Sequence, residues 1–167
     1  ETYQAVTLSE DQLRVVNSIL SVLNRRLPEG SVDELIKDAL RGYQAALDTA
    51  NWRQVFLELW QVIELITTPP DRRKHGIRSD EIIRKLKILL KGHRPHFMEL
   101  VDLLVAWRNR LVHHGQFSED EETNAIFLRI VVELVILRLL DLRKTFKDWE
   151  HLEIYYSNAS ADVGVLR

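Results

Sequence analysis

The stretch Trp107-Arg-Asn-Arg-Leu-Val-His-His-Gly115 crowds two arginines, an asparagine and two histidines into one short run. Side chains of these types can do chemistry without a metal. An imidazole can take the proton of a 2′-hydroxyl or return one to a leaving oxygen. A guanidinium can hold a phosphate and stabilise the charge that builds on it in the transition state. An amide can orient the phosphate or the imidazole. Arg108, Asn109 and His113 are the candidate catalytic residues, and RNA strand transfer is the chemistry they suit.

Other chemistries are less well served. The 167 residues contain no cysteine, which excludes disulfides, thiolate metal sites and cysteine nucleophiles. No serine stands beside the histidines, so acyl transfer has little support. His93 and His96, with His113 and His114, offer imidazoles. Yet adjacent histidines on a helix diverge by about 100°, and no acid sits at ligand spacing. Neither a metal nor a cofactor is expected.

The motif needs a helix to carry it. Pro95 suits the first position of one and Gly115 its C-terminal stop. At about 100° per residue, Phe97, Leu100, Val101, Leu104, Trp107 and Leu111 share one face, which must be the core side. Asp102, Ala106, Asn109 and His113 line the opposite side. Arg108 falls close to the apolar face, where a cation needs a carboxylate or must reach outward. It diverges from His113 by about 140°, so one helix does not present them as a same-face pair. Two copies meeting across a twofold axis would bring two such sets into one cleft.

The remaining elements also read as helices. Ser9 to Gln12 and Ser31 to Glu34 form capping boxes, and Asn51 caps a helix with apolar Phe56, Leu59, Trp60, Ile63 and Ile66 at helical spacing. That helix stops at Thr67-Thr-Pro-Pro70. A short helix spans Ser79 to about Leu90, and a third capping box, Ser118 to Glu121, opens a last long helix running to about Trp149. No long period-two alternation marks a strand; Glu153 to Tyr156 is the only weak candidate. The expected fold is all-α, an up-and-down bundle of five to six helices in one domain. Residues 1–50 supply N-terminal helices of the same bundle, 51–150 the core, and 151–167 a small, polar C-terminal tail.

Fourteen of the eighteen residues from Ala125 to Leu142 are apolar. Four charges in that span argue against a membrane helix, so the segment is central in the core, with part of its second side buried by another copy. The net charge of -2 gives no global push toward nucleic acid. Nine Lys or Arg against three acids between Asp71 and Arg94 make Arg72, Arg73, Lys74 and Arg78 the candidate RNA-binding residues. A solvated loop and helix face is the competing explanation of that segment. The single methionine is Met98, and the chain reads as a piece of a longer protein.

Arg108-Asn-Arg-Leu-Val-His113, followed by His114-Gly115, resembles the motif of the HEPN superfamily: an arginine, four to six residues, then a histidine. It is most similar to the HEPN domains of the ApeA-like defence group. The resemblance covers about Asn51 to Trp149. It implies a helical bundle, a dimeric metal-independent ribonuclease with Arg108, Asn109 and His113 as active residues, and products with a 2′,3′-cyclic phosphate and a 5′-hydroxyl. It also implies phage defence or a toxin-like stress system as the setting. Gly115 stands where the toxin branch carries a tyrosine, which sets a tyrosine-dependent mechanism aside.

His114, Glu58, Glu64 and Asp102 are candidates for supporting roles. The expected partners are RNA, a second copy and further domains of the full-length protein, with no membrane and a cytoplasmic location. Structural explanations compete. Arg108 paired with Glu58 or Glu64 would be a bundle ion pair, and the histidines would merely suit a helix C-terminus. Trp52, Trp60, Trp107 and Trp149 read as core or interface aromatics. A non-catalytic dimerisation or interaction module is the alternative function, and a helical antitoxin or substrate-binding domain a third, resting on fold analogy.

Overall fold

A computed structural model describes residues 9–69, 78–115 and 120–164. Those residues form seven α-helices: α1 (Glu10–Leu23), α2 (Val32–Leu47), α3 (Trp52–Thr67), α4 (Ser79–Leu89), α5 (Pro95–His114), α6 (Glu121–Leu142) and α7 (Trp149–Gly164). The all-α expectation holds. Among the described residues the only β-type pairing is an isolated bridge between Ser31 and Asp148. No helix among them is long and apolar enough to cross a membrane.

The helix starts follow from local chemistry. Ser9 and Gln12 complete a reciprocal capping box on α1. On α2 the box is only half made: Ser31 Oγ accepts from Glu34 N–H at 3.1 Å, but the Glu34 carboxylate accepts from Gly30 N–H at 2.7 Å. The Ser31 N–H is already committed to the Pro28 carbonyl. Asn51 accepts from the N–H groups of Arg53 and Gln54 to start α3. Pro95 opens α5, and Gly115 closes it with φ of 60°. Asp120 caps α6 by accepting from Thr123 N–H at 3.1 Å; Ser118, the expected start of a capping box, lies outside the described residues.

At the centre α3 packs against α2 and α6. Phe56, Leu59, Ile63 and Ile66 of α3 meet Leu128, Val131, Val132, Val135 and Leu139 of α6 in a single core, all fully buried. Gly42 of α2 lets α3 approach closely, since a Cβ there would stand 2.8 Å from Val62 Cγ2. The apolar α6 is central on one side only. Ile126, Ile130 and Leu137 on its other side remain more than 40% exposed.

The C-terminal part corrects two expectations, a helix running to about Trp149 and a tail over 151–167. The long helix ends at Leu142, and a separate helix begins at Trp149, which raises the count from five or six to seven. The break comes from distant backbone partners. Val32 N–H donates to the Lys147 carbonyl, and Trp149 N–H donates to the Gly30 carbonyl. Asp148 then caps α7 by accepting from His151 N–H at 3.0 Å. Leu152 and Tyr156 are fully buried, so the weak strand candidate is a packed helix.

Lys85 fastens α7 to the bundle. Its side chain is 1% exposed. Its ammonium donates to the Thr67 carbonyl at 2.8 Å and to Glu153 at 2.5 Å, lies 3.3 Å from Glu81, and faces the Tyr156 ring at 5.2 Å. Three oxygens therefore surround three donors, and a buried charge is tolerated on those terms.

Candidate active site

α5 presents the two faces that its sequence periodicity requires. Val101, Leu104 and Leu111 are buried, while Phe97, Leu100 and Trp107 are partly buried. Trp107 meets Phe127 of α6 edge-on, with ring centroids 6.0 Å apart. Opposite, Asp102, Ala106 and His113 are exposed and Asn109 is half-buried.

Arg108 leaves α5 toward α3, and its side chain is 30% exposed. Nη2 stands 4.0 Å from Glu64 Oε1, and Nη1 donates to Asn109 Oδ1 across 3.4 Å. The same Glu64 oxygen accepts from Trp60 Nε1–H at 2.7 Å. A largely buried indole thus orients the carboxylate, and the carboxylate orients the guanidinium. Charge-assisted hydrogen bonds are normally 2.7–2.9 Å long, so Arg108 is positioned by these neighbours without being tightly neutralised. A phosphate offering two oxygens would satisfy donors that these long contacts leave weakly used.

His113 is exposed and makes no hydrogen bond or ion pair with another described residue. Arg108 and His113 therefore leave the helix in different directions within one chain. The side chain of His114 is not among those described. Of the other supporting candidates, only Glu64 reaches the motif. Glu58 accepts from Thr49 Oγ1 at 3.0 Å and from Gln54 Nε2 at 2.8 Å. Asp102 pairs with Lys87 of α4 at 2.6 Å. The ion pair weighed for Arg108 with Glu58 or Glu64 is thus made with Glu64, at its longest limit.

Two residues near the motif were not anticipated. Trp60 stands one helical turn before Glu64, a spacing that could have suggested the pair. Arg53 donates from Nη1 to the Gly115 carbonyl at 3.3 Å and from Nε to Glu121 at 2.7 Å. It holds the end of α5 against the start of α6 across distances that no local signal announces. The hydrogen bond to the Glu121 carboxylate, with its charge, raises the pKa of Arg53 further.

The basic segment is divided by the fold. Lys85 is buried, Lys87 is paired with Asp102, and Arg78 forms a two-pronged contact with Asp80 at 2.8 and 3.2 Å. Arg72, Arg73 and Lys74 lie outside the described residues. Among the described residues no cluster of three or more His, Asp or Glu could hold a metal ion. A cavity of about 390 Å³ is lined by Arg84, Lys87, Ile88, Met98 and Ala159, away from the motif. Trp60 is buried, Trp107 and Trp149 are partly buried, and Trp52 is 41% exposed.

No family model matches the chain, nor does a curated protein or a solved structure match it significantly.

Proposed function

We propose that this chain is a metal-independent endoribonuclease domain of the HEPN kind, acting as a homodimer whose two motifs share one cleft. The observation that carries the reading is the open end of α5. There, among the described residues, Arg108 is held by contacts of 4.0 and 3.4 Å only, beside half-buried Asn109 and exposed His113. In the reaction the 2′-oxygen of a ribose attacks the adjacent phosphorus, and the bond from phosphorus to the 5′-oxygen breaks. An imidazole takes the 2′-hydroxyl proton or protonates the departing 5′-oxygen, and His113 from two copies supplies both roles. Arg108 stabilises the charge on the phosphoryl oxygens, and Asn109 keeps the guanidinium in place. The products are a 2′,3′-cyclic phosphate and a 5′-hydroxyl. Further domains of the full-length protein, acting in a cytoplasmic defence or stress system, would choose the RNA, with Arg72, Arg73, Lys74 and Arg78 contributing phosphate contacts.

The test is incubation of the purified chain with mixed-sequence RNA in excess EDTA, beside Arg108→Ala and His113→Ala, both shown folded by circular dichroism. Cleavage that survives EDTA and drops by at least about 100-fold in both variants supports the reading. Unchanged cleavage in folded variants removes the motif from the mechanism. The second reading, a helical interaction module, is favoured by the exposed apolar side of α6 and by the Arg108–Glu64 contact. It predicts no cleavage by the parent and ordinary folding of both variants.

A further inference from the structure

α1 has two apolar faces, and only one of them is used inside the chain. Val22 is buried, and Val15, Ser18 and Ile19 are partly buried. Leu13, Val16, Leu20 and Leu23 point elsewhere, with exposures of 46%, 39%, 46% and 38%. Their spacing of three, four and three residues is the narrow seam by which one helix packs along another. A soluble helix gains nothing from a four-residue apolar seam left in water.

The seam is symmetric about Ser18. Val16 and Leu20 lie two residues from it on either side, and Leu13 and Leu23 lie five. The flanking charges continue the pattern with opposite signs: Asp11 and Arg25 lie seven residues away, Glu10 and Arg26 eight. All four charged residues are exposed. Arg14 touches Glu10 and Asp11 at 3.8 and 3.4 Å, a surface contact of small worth that leaves the acidic end acidic. Reversing the helix therefore places apolar side chains on apolar ones and brings the acidic first turn beside the segment just past Leu23 that carries Arg25 and Arg26. In antiparallel pairing, first and fourth heptad positions also alternate across the seam as Leu13 and Leu23 require.

From this we infer that α1 pairs with α1 of a second copy, antiparallel, about a twofold axis level with Ser18. Leu13 stands opposite the partner's Leu23, and Val16 opposite the partner's Leu20. Glu10 and Asp11 face the partner's Arg25 and Arg26, and the two helix dipoles oppose each other favourably. A helix pair of this length buries on the order of 1,000 Å² in total, at the small end of specific interfaces, which suits a reversible dimer.

This contact is separate from the cleft proposed for RNA cleavage and does not rest on it. Arg14, Val15 and Ser18 line a crevice with Leu137, Leu140 and Lys144, toward the C-terminal end of α6. The motif is tied by Arg53 to the N-terminal end of α6 at Glu121. At 1.5 Å per residue the two lie about 25 Å apart along that helix.

The absence of cysteine makes the register directly testable. Leu13→Cys and Leu23→Cys chains are oxidised separately and as an equimolar mixture at about 50 µM, with helix content checked by circular dichroism. The mixture alone should form disulfide-linked dimers. Linkage of Leu13→Cys with itself would mean a parallel pair, and no linkage in the mixture would mean a different occupant; either overturns the inference. Sedimentation velocity supplies the second measurement. Glu10→Arg/Asp11→Arg and Arg25→Glu/Arg26→Glu should each weaken association at least tenfold, and mixing them should restore it. Association unchanged in both variants overturns the inference.

Discussion

Lys85 and Arg108 are both cations set where helices meet, and their surroundings differ at every point. Lys85 is 1% exposed and has Thr67, Glu81 and Glu153 oxygens at 2.5–3.3 Å. Arg108 is 30% exposed and has one carboxylate oxygen at 4.0 Å and one amide oxygen at 3.4 Å. The first ammonium has all its hydrogen-bonding capacity consumed by the fold, whereas the second cation is aimed but left with donors to give. A charge that is closed in contributes to holding the chain together, and a charge held loosely at the surface is available to an anion from outside.

Substitutions at the two positions should therefore separate stability from activity. Lys85→Met takes the cation away from Glu81 and Glu153 and sets a buried apolar chain in its place. It should cost about 3 kcal/mol, the low end for a broken buried pair, because both carboxylates keep some contact with water. Thermal melting would show this as a drop of roughly 10 °C. Arg108→Ala should change the melting free energy by less than about 1 kcal/mol while removing the RNA cleavage proposed above. A large loss of stability in Arg108→Ala would make that residue a second Lys85 and dissolve the contrast.

Smaller effects sharpen it. Gly42→Ala gains about 1 kcal/mol of helix propensity but sets a methyl 2.8 Å from Val62, an overpacking that costs about 2 kcal/mol. The net loss of about 1 kcal/mol, read by urea titration, should come with a shift of α3 near Glu64 and hence weaker cleavage. Gly115→Ala meets no steric neighbour, so only its φ of 60° counts, and about 1 kcal/mol of strain should loosen the end of α5. The smallest effect concerns pH. The His151 backbone N–H, helped by the His151 ring, holds the Asp148 carboxyl below its ordinary range. A lowered pKa contributes stability that is complete above the unfolded value and is lost as pH falls through the folded one. Helicity of α7 should accordingly decline below about pH 4 before the rest of the bundle, as residue-level NMR would report.

The helices bounded by short-range chemistry were readable in the sequence. Pro95, Gly115, Asn51 and the Ser9 capping box act on neighbours within four residues, and each does what its type requires. The two faces of α5 were readable for the same reason. The division between α6 and α7 was not, because Arg143 to Lys147 contains no Pro or Gly. It depends on the hydrogen bonds that the Gly30 carbonyl accepts from Trp149 N–H and that Val32 N–H donates to the Lys147 carbonyl, which no local pattern encodes. The site was legible in its types and only partly in its partners. Glu64 was among the named candidates, but Glu58 and Asp102 make their contacts with Thr49, Gln54 and Lys87 on other turns. Lys85 looked like one more member of a basic run until α7 supplied Glu153 and Tyr156 to enclose it.

The bridge between Ser31 and Asp148 has a consequence for how the chain is made. The turn that leads into α2 leaves the ribosome well before α7 does, because its backbone partners at Lys147 and Trp149 come more than a hundred residues later. Closing so long a loop is slow, and the early helices must wait for it. Emergence of α7 thus becomes a folding checkpoint: a product interrupted before it has an untied turn ahead of α2 and a Lys85 with no Glu153 to meet.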